Sequence, residues 1–238
     1  MAKRKPGKSP PPDGAESLTD RAYRALEEQI VTLKLRPGAV VGEAILSKRL
    51  GIGRTPIREA LQRLAREHLV QILPRRGIVV SDINVGTQLR LLEARRELER
   101  LNARSAARRA EPAQRARFAE IAAEMRAAAT VDDETRFLRL DREFNLLLLE
   151  SARNEFAEAA MALMHGLARR FWYIHWRQSA DLPQAAALHA DVAQAVAAGD
   201  AAAAAAASDR LMDYLEAFSR ATLNLPGAAE RLASPPRI

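Results

Sequence analysis

Apolar residues from Asn84 onward recur every three or four positions, which is the spacing of a helix that buries one face. The pattern predicts six helices joined by short connections, within residues 91–106, 118–125, 137–149, 156–174, 188–196 and 211–223. It is interrupted at Glu111-Pro112, Val131-Asp132, Arg153-Asn154, Leu182-Pro183 and Gly199-Asp200. Because helices joined so closely must largely run antiparallel, we expect an all-α bundle. The alanine tract 201–207 is expected to be a helix with close neighbours, since Ala is the strongest helix former.

Residues 43–67 have a shorter helical pattern that is broken by glycines. From Arg54 to Glu67, one helical face is apolar and the opposite face is polar. Pro56 suits the first turn of this helix, and Gly51-Ile52-Gly53 separates it from an apolar helix at 44–50. Two helices joined in this way predict a helix-turn-helix, whose second helix lies in the DNA major groove with its N-terminal residues nearest the bases. The polar face contains Thr55, Arg58, Glu59, Gln62 and Arg66.

A β-hairpin is predicted directly after this helix. The short apolar runs 70–73 and 78–80 flank Pro74-Arg75-Arg76-Gly77, in which Gly77 can adopt a positive φ. The hairpin would make the motif a winged helix-turn-helix. Arg75 and Arg76 at its tip could contact phosphates or a minor groove, although a solvated surface loop would have the same composition.

The positive charge is concentrated in this first part of the chain. Residues 1–81 contain 16 Lys and Arg against 8 Asp and Glu, whereas the remainder contains 21 against 22. A module that meets phosphates is expected to carry such a surplus. The first 17 residues, with Lys3, Arg4, Lys5 and Lys8 before a proline run, indicate a flexible basic arm or an inert tail.

Several short motifs resemble the N-terminal domain of the GntR family of bacterial transcription regulators. They are Leu35-Arg-Pro-Gly, Glu43, the run Leu50-Gly-Ile-Gly-Arg-Thr-Pro-Ile-Arg-Glu-Ala-Leu-Gln-Arg-Leu and Pro74-Arg-Arg-Gly, and together they cover residues 19–82. The resemblance implies that Arg54, Thr55, Pro56, Arg58 and Gly77 meet operator DNA. It departs from the family at Gly53, where Ser or Thr is usual, so a helix-capping oxygen is missing.

These patterns divide the chain into an arm at 1–17, a DNA-binding domain at 18–82, a helical domain at 84–224 and a tail at 225–238. A mainly α fold is predicted. The sequence has no Cys, which excludes disulfides and thiolate metal sites. No apolar run approaches membrane-spanning length and no signal peptide is evident, so we expect a cytoplasmic protein with no membrane association.

The helical domain has none of the motifs expected of an enzyme. No Lys follows Lys48, which excludes a Schiff-base cofactor there, and neither a Gly-rich phosphate loop nor a His-Glu-x-x-His motif occurs. The domain instead resembles the FadR-type C-terminal effector domain, called FCD, over residues 84–223. The resemblance rests on Glu93-Ala-Arg95-Arg-Glu-Leu-Glu99, Asp141-Arg-Glu-Phe-Asn145, Ala152-Arg-Asn154 and His189 followed by Gly199-Asp200.

The FCD resemblance implies a site for small carboxylates, commonly around a divalent metal held by one Asp and three His. Two of those positions differ in this chain, because Asn145 replaces one His and Leu211 stands near the last one, where neither it nor Tyr214 can act as a ligand. Asp141 and His189 alone fall short of the three or four protein ligands that zinc or nickel favours. No metal is therefore assigned, with His165 and His175 left as alternative ligands.

Four polar residues remain as the predicted effector site: Arg95, Asp141, Asn145 and His189. A ligand carboxylate bound directly by Arg95, with Asn145 as a neutral partner, would satisfy these groups. Alternatively, Arg95 pairs with Glu99 or Asp141 in a bundle that binds no ligand. The sequence thus predicts a homodimeric, ligand-responsive regulator of double-stranded operator DNA that responds to a small organic acid. The alternative is a constitutive DNA-binding dimer whose bundle only dimerises.

Overall fold

A computed structural model describes residues 16–74, 77–131, 133–179 and 181–224. The predicted mainly α fold is confirmed. The first domain contains α1 (Leu18–Val31), β1 (Val40–Val41), α2 (Glu43–Leu50), α3 (Arg54–Arg66), β2 (Val70–Leu73) and β3 (Gly77–Val80). The second contains α4 (Val85–Arg109), α5 (Pro112–Thr130), α6 (Glu134–Ala152), α7 (Glu155–Ser179), α8 (Leu182–Ala198) and α9 (Ala201–Ala221), followed by a 3₁₀ turn at Thr222–Asn224.

The first domain is a winged helix-turn-helix, as predicted. Its core is formed by one face of each helix together with the sheet, and includes Leu26, Leu46, Ile57 and Leu61. The strands are antiparallel in the order β1-β3-β2, with Val40 opposite Val79. Neither α1 nor β1 was predicted. A two-residue strand is too short to show the alternation that identifies strands in a sequence.

The six predicted helices of the bundle are confirmed, with boundaries close to the expected breaks. Three helices begin at an Asp that accepts hydrogen bonds from first-turn amides, and α8 ends at Gly199 with φ 73°. The alanine tract forms the start of α9, where Ala204 and Ala207 are buried. Helix α4 is central, because it packs against α6, α7, α8 and α9. Side chains on its inward face therefore occupy the middle of the domain.

Helix α7 also provides the contact between the two domains. Gly166 lies so close to Leu69 that an added Cβ would stand 2.6 Å from its Cδ1 atom. Beside this contact, an Arg169 nitrogen lies 2.8 Å from a Glu27 carboxylate oxygen. Arg170 is fully buried and donates to the carbonyl oxygen of Ser81, at the start of the segment between the domains. The DNA-binding domain is thus docked on one helix of the bundle.

Candidate functional site

The recognition helix α3 presents an apolar face to the core and a polar face to solvent. Ile57, Ala60, Leu61 and Leu64 are buried, as the periodicity predicted. The predicted DNA-contacting side chains are exposed except for Pro56, which is half-buried: Arg54, Thr55, Arg58, Glu59, Gln62 and Arg66. These side chains form one continuous surface from the first turn of α3 to its last. Their contacts with DNA remain a prediction.

Arg58 is held in place by Glu43, the first residue of α2. Its Nε and Nη2 atoms donate to the two Glu43 carboxylate oxygens at 3.0 and 2.8 Å. The hydrogen bond from Arg58 lowers the pKa of the Glu43 carboxyl below its usual value. A forked pair of this kind fixes the guanidinium plane and leaves Nη1 directed elsewhere. Glu43 was predicted only as part of a family motif, because nothing in the spacing placed its side chain beside Arg58.

Glu59 has a structural partner on α1. The Thr19 hydroxyl donates to a Glu59 carboxylate oxygen at 2.6 Å, which links the first turn of α1 to the recognition helix. One turn further on, the Arg63 guanidinium lies 3.7 Å from the centre of the Tyr23 ring. These contacts orient α3 against α1. Glu59 therefore stands at the edge of the exposed surface nearest α1.

The N-terminus of α3 has no side-chain cap. Gly53 occupies the N-cap position with φ −58° and ψ 158° and supplies no side-chain oxygen, as the sequence indicated. First-turn amides are therefore free to meet a phosphate, which favours a helix N-terminus. In the hairpin formed by β2 and β3, which is the wing of the domain, Gly77 has φ 87°, and this agrees with the positive φ expected there. Arg75 and Arg76 lie outside the described residues.

The four predicted effector residues lie in a polar cluster inside the bundle. His189 Nε2 on α8 lies 3.1 Å from Asp141 Oδ1 on α6. One turn along α6, the Asn145 amide donates to that same oxygen at 3.0 Å. On α4, Arg95 Nη2 lies 2.5 Å from Glu99 Oε1, and both side chains are nearly buried. The predicted alternative pairing of Arg95 with Glu99 is therefore present.

The environment of His189 favours its protonated form. Its Nδ1 lies 2.8 Å from the Ala185 carbonyl oxygen while Nε2 faces the Asp141 carboxylate, so both ring nitrogens are placed to donate. Burial opposes the charge, but the hydrogen bond and charge of Asp141 outweigh it and raise the pKa of His189. Burial likewise opposes ionisation of Asp141, yet His189 lowers the pKa of its carboxyl. The two residues form a partly buried ion pair.

This pair predicts a stability that depends on pH. A raised histidine pKa contributes stability below about 6.5, which is lost as the pH rises through the folded-state pKa. A lowered aspartate pKa contributes above about 3.9, and that stability is lost as the pH falls through the lower folded-state pKa. The coupling between the residues is therefore expected to be largest between about pH 4 and pH 6.5.

Urea unfolding of the wild type, His189→Gln, Asp141→Asn and the double variant would measure that coupling as a double-mutant cycle. We expect the coupling energy at about pH 6 to exceed that at a pH above the raised folded-state pKa of His189, where the imidazole loses its proton. Equal coupling energies at the two pH values would show that Asp141 does not stabilise the charged form of the imidazole.

Two residues of this region were not predicted as effector ligands. His165 on α7 is near enough to Arg95, Glu99 and Asp141 to feel their charges, and burial, followed by the Arg95 charge, lowers its pKa. Asn102 on α4 is fully buried, and neither Nδ2 nor Oδ1 has a hydrogen-bond partner among the residues that the structure describes. The sequence signal for Asn102 is its spacing, because it lies three residues after Glu99 and seven after Arg95 on one face of α4.

Comparison with known families identifies both domains. Residues 90–214, more than half of the chain, match the family described as "FCD domain". Residues 18–80 match the family described as "Bacterial regulatory proteins, gntR family". The chain belongs to the GntR family and carries an FCD domain.

Relatives of this GntR protein are named as regulators, and most match it over fewer than 80 residues. The HTH-type transcriptional repressor RspR of Escherichia coli K12 is 36% identical over 70 residues, which are 29% of this chain and 31% of that protein. A Streptomyces ambofaciens regulator is 44% identical over 26% of each chain. The chain thus spans about a third or less of these proteins' length. The Nta operon transcriptional regulator of Aminobacter aminovorans is 28% identical over 61% of this chain and 68% of its own.

Solved structures support the same fold. E. coli McbR/YncC superimposes with a TM-score of 0.71 over 88% of this chain and all of its own, at 21% identity. A transcriptional regulator GntR from Rhodococcus sp. RHA1 gives 0.65 over 85% of this chain and 97% of its own, at 23% identity. At these identities the likeness establishes the fold alone. Among the described helices, none is long and apolar enough to cross a membrane.

The donor set of this FCD domain does not fit the divalent metal that the family commonly holds. Of the expected one Asp and three His, Asp141 and His189 are present and already form hydrogen bonds with each other and with Asn145. Leu211 is a buried apolar residue. Among the described residues, no three His, Asp or Glu side chains come together in a way that could hold a metal ion. The cluster is better suited to a ligand held by hydrogen bonds and charge.

Proposed function

We propose that this protein is a transcription repressor that binds a pseudo-palindromic operator as a homodimer and is released by a small carboxylate-type metabolite. The observation that carries the DNA-binding part is the exposed polar face of α3, on which Glu43 holds Arg58 in a fixed orientation. A guanidinium held in this way can read a guanine edge with little loss of side-chain freedom on binding. Gln62 and Arg66 extend the same surface toward the DNA backbone.

The homodimer follows from the size of one recognition helix. A single α3 covers too few base pairs for useful specificity, whereas two-fold symmetry doubles the number of bases read. Homodimerisation also explains why the operator should be pseudo-palindromic. Each half-site would be contacted by one copy of α3 and one wing. The protein would act in the cytoplasm, where the DNA is.

Support for the effector site comes from the buried charges of the polar cluster. Arg95 pairs with Glu99 through Nη2, but its Nε atom is buried and has no partner among the described residues. A donor left in this state costs free energy that a ligand oxygen would recover. His189 and Arg95 each already face a carboxylate, so the unpaired Nε of Arg95 is the donor that we propose receives a ligand oxygen. We propose Arg95, Asp141, Asn145 and His189 as its binding residues.

Helix α7 supplies a physical connection between this cluster and the DNA-binding domain. His165 lies within reach of the cluster charges, and the next residue, Gly166, touches Leu69 of the first domain. A shift of α7 on ligand binding would therefore move the domain that carries α3. Close-packed interfaces transmit such shifts because they cannot deform freely.

A second candidate function is a constitutive DNA-binding dimer whose bundle only dimerises. It is favoured by the internal pairing of Arg95 with Glu99 and of Asp141 with His189, which leaves few charges unpaired. A groove of about 530 Å³ lies between α8 and α9, but it is separate from the polar cluster and so does not favour either function. It is open to solvent and is lined by none of the four proposed effector residues.

One set of measurements tests the proposed function. Operator fragments selected from genomic DNA by the purified protein are expected to contain inverted half-sites, and light scattering should give two chains per fragment. A metabolite that raises the melting temperature should also release the DNA in a gel-shift titration. One chain per operator would exclude the homodimer. A stabilising acid that leaves the complex intact would favour the constitutive alternative.

A further inference from the structure

We infer that Asn102 determines the specificity of the effector site, by selecting a monocarboxylate that has a neutral hydroxyl or carbonyl oxygen about one helical turn from its carboxylate. This inference rests on the proposed effector function and names the class of ligand. Asn102 is fully buried in the middle of the domain, and both polar atoms of its amide lack partners among the described residues. A buried amide in this state normally has a partner, either protein, water or ligand.

The position of Asn102 follows from the geometry of α4. Arg95, Glu99 and Asn102 are separated by four and three residues, so they share one face of this helix. Contact with Glu99 extends the Arg95 guanidinium along the helix toward Glu99, in the direction of Asn102. Asn102 lies three residues further on, about 4.5 Å along the axis. A ligand whose carboxylate meets Arg95 would therefore point its other end at Asn102.

The change in exposure across the cluster indicates the same orientation. The Asp141 side chain is 31% exposed, whereas those of His189 and Arg95 are each 12% exposed. Asn102, further along α4 from Arg95, is fully buried. A ligand entering beside Asp141 would thus reach Arg95 and His189 first, and its distal group would stop at Asn102.

Charge at the site favours a neutral distal group. The Arg95 guanidinium is already paired with the Glu99 carboxylate, and His189 is paired with the Asp141 carboxylate. One ligand carboxylate gives the cluster a net negative charge, and a second would add to it in a poorly solvated interior. The Asn102 amide is neutral and can both donate and accept, which matches a hydroxyl group. A carbonyl oxygen would use the donor alone.

Three acids of equal chain length provide the test, with the full-length protein and calorimetric titration. Butanoate has no distal polar group, 4-hydroxybutanoate has a neutral one and succinate has a charged one. We expect 4-hydroxybutanoate to bind at least about tenfold more tightly than either of the others, because butanoate leaves the amide unpaired and succinate adds charge. Equal binding of all three acids, or no binding of any, would overturn the inference.

Variants assign the discrimination to Asn102. In Asn102→Leu, which has a side chain of similar size, we expect the preference for 4-hydroxybutanoate over butanoate to disappear. Asn102→Ala serves as a second variant if the leucine is not accommodated in the core. Ser151→Ala is the matched control, since Ser151 is also fully buried with an unpartnered hydroxyl but lies at the last turn of α6. It should retain the preference.

The outcomes separate this inference from the proposed function. If Asn102→Leu keeps the full preference for the hydroxylated acid, the amide is satisfied by internal water and Asn102 does not select the ligand. If another acid stabilises the protein and releases operator DNA without discrimination by Asn102, the effector function stands and the inferred class of ligand is wrong.

Discussion

Replacing Arg95 with alanine is expected to abolish release of operator DNA by the effector. Arg95 supplies the cationic partner for the ligand carboxylate, and among the described residues no other arginine or lysine nitrogen is paired with the carboxylates of this cluster. Gel-shift titration of the wild type and the variant with the same stabilising metabolite would measure the effect. Normal release from the Arg95→Ala protein would show that the ligand binds elsewhere.

The same substitution is expected to destabilise the fold, which requires a control. Glu99 is buried and Arg95 is its ion-pair partner, so alanine at 95 leaves a carboxylate uncompensated in the interior. Breaking a buried pair in this way costs about 3–5 kcal/mol, whereas replacing both partners is often neutral. The double variant Arg95→Met with Glu99→Gln should therefore recover most of the stability while remaining unresponsive to the effector.

Urea unfolding would separate the two effects. A double variant that regains both stability and response would mean that Arg95 acts only through Glu99, as a structural partner. A double variant that is as stable as the wild type, binds operator and is not released would place Arg95 in the ligand site. The Glu99→Gln single variant measures how much of the response depends on that carboxylate.

Arg54→Ala and Arg58→Ala are each expected to weaken operator binding by at least about tenfold, which corresponds to the loss of a base-reading contact. Both side chains are exposed on the first turns of α3, so their removal should leave the circular dichroism spectrum unchanged. Arg104→Ala is the matched control, because it removes one exposed arginine from the bundle. Unchanged operator affinity in both α3 variants would exclude α3 as the recognition helix.

A further variant tests how Glu43 contributes to binding. Glu43→Gln removes the charge that holds the Arg58 guanidinium at 2.8 to 3.2 Å. If that contact serves to orient Arg58, the affinity should fall although one negative charge has been removed from the DNA-facing surface. A rise in affinity would show instead that Glu43 competes with DNA for Arg58.

The sequence by itself determined the helices of the bundle and the surface of α3. Helical periodicity in an amphipathic segment is local, so Ile57, Leu61 and Leu64 could be assigned to the core and Arg58, Gln62 and Arg66 to solvent without any tertiary contact. Breaks such as Gly199-Asp200 and Leu182-Pro183 were visible for the same reason, because caps and first-turn prolines act within one turn. The family motifs extended these assignments to roles in DNA binding only by resemblance.

Only the tertiary structure decided which of these residues meet. The Glu43–Arg58 fork joins positions 15 residues apart, and the Asp141–His189 pair joins two helices that are not consecutive. Strand β1 is formed through its pairing with β3. At Gly166, Leu69 of the first domain occupies the space that a side chain would need. That the Asn102 amide finds no hydrogen-bond partner among the described residues is likewise a property of the assembled bundle. Such pairings depend on how helices are oriented in space, whereas periodicity specifies only which face of each helix is buried.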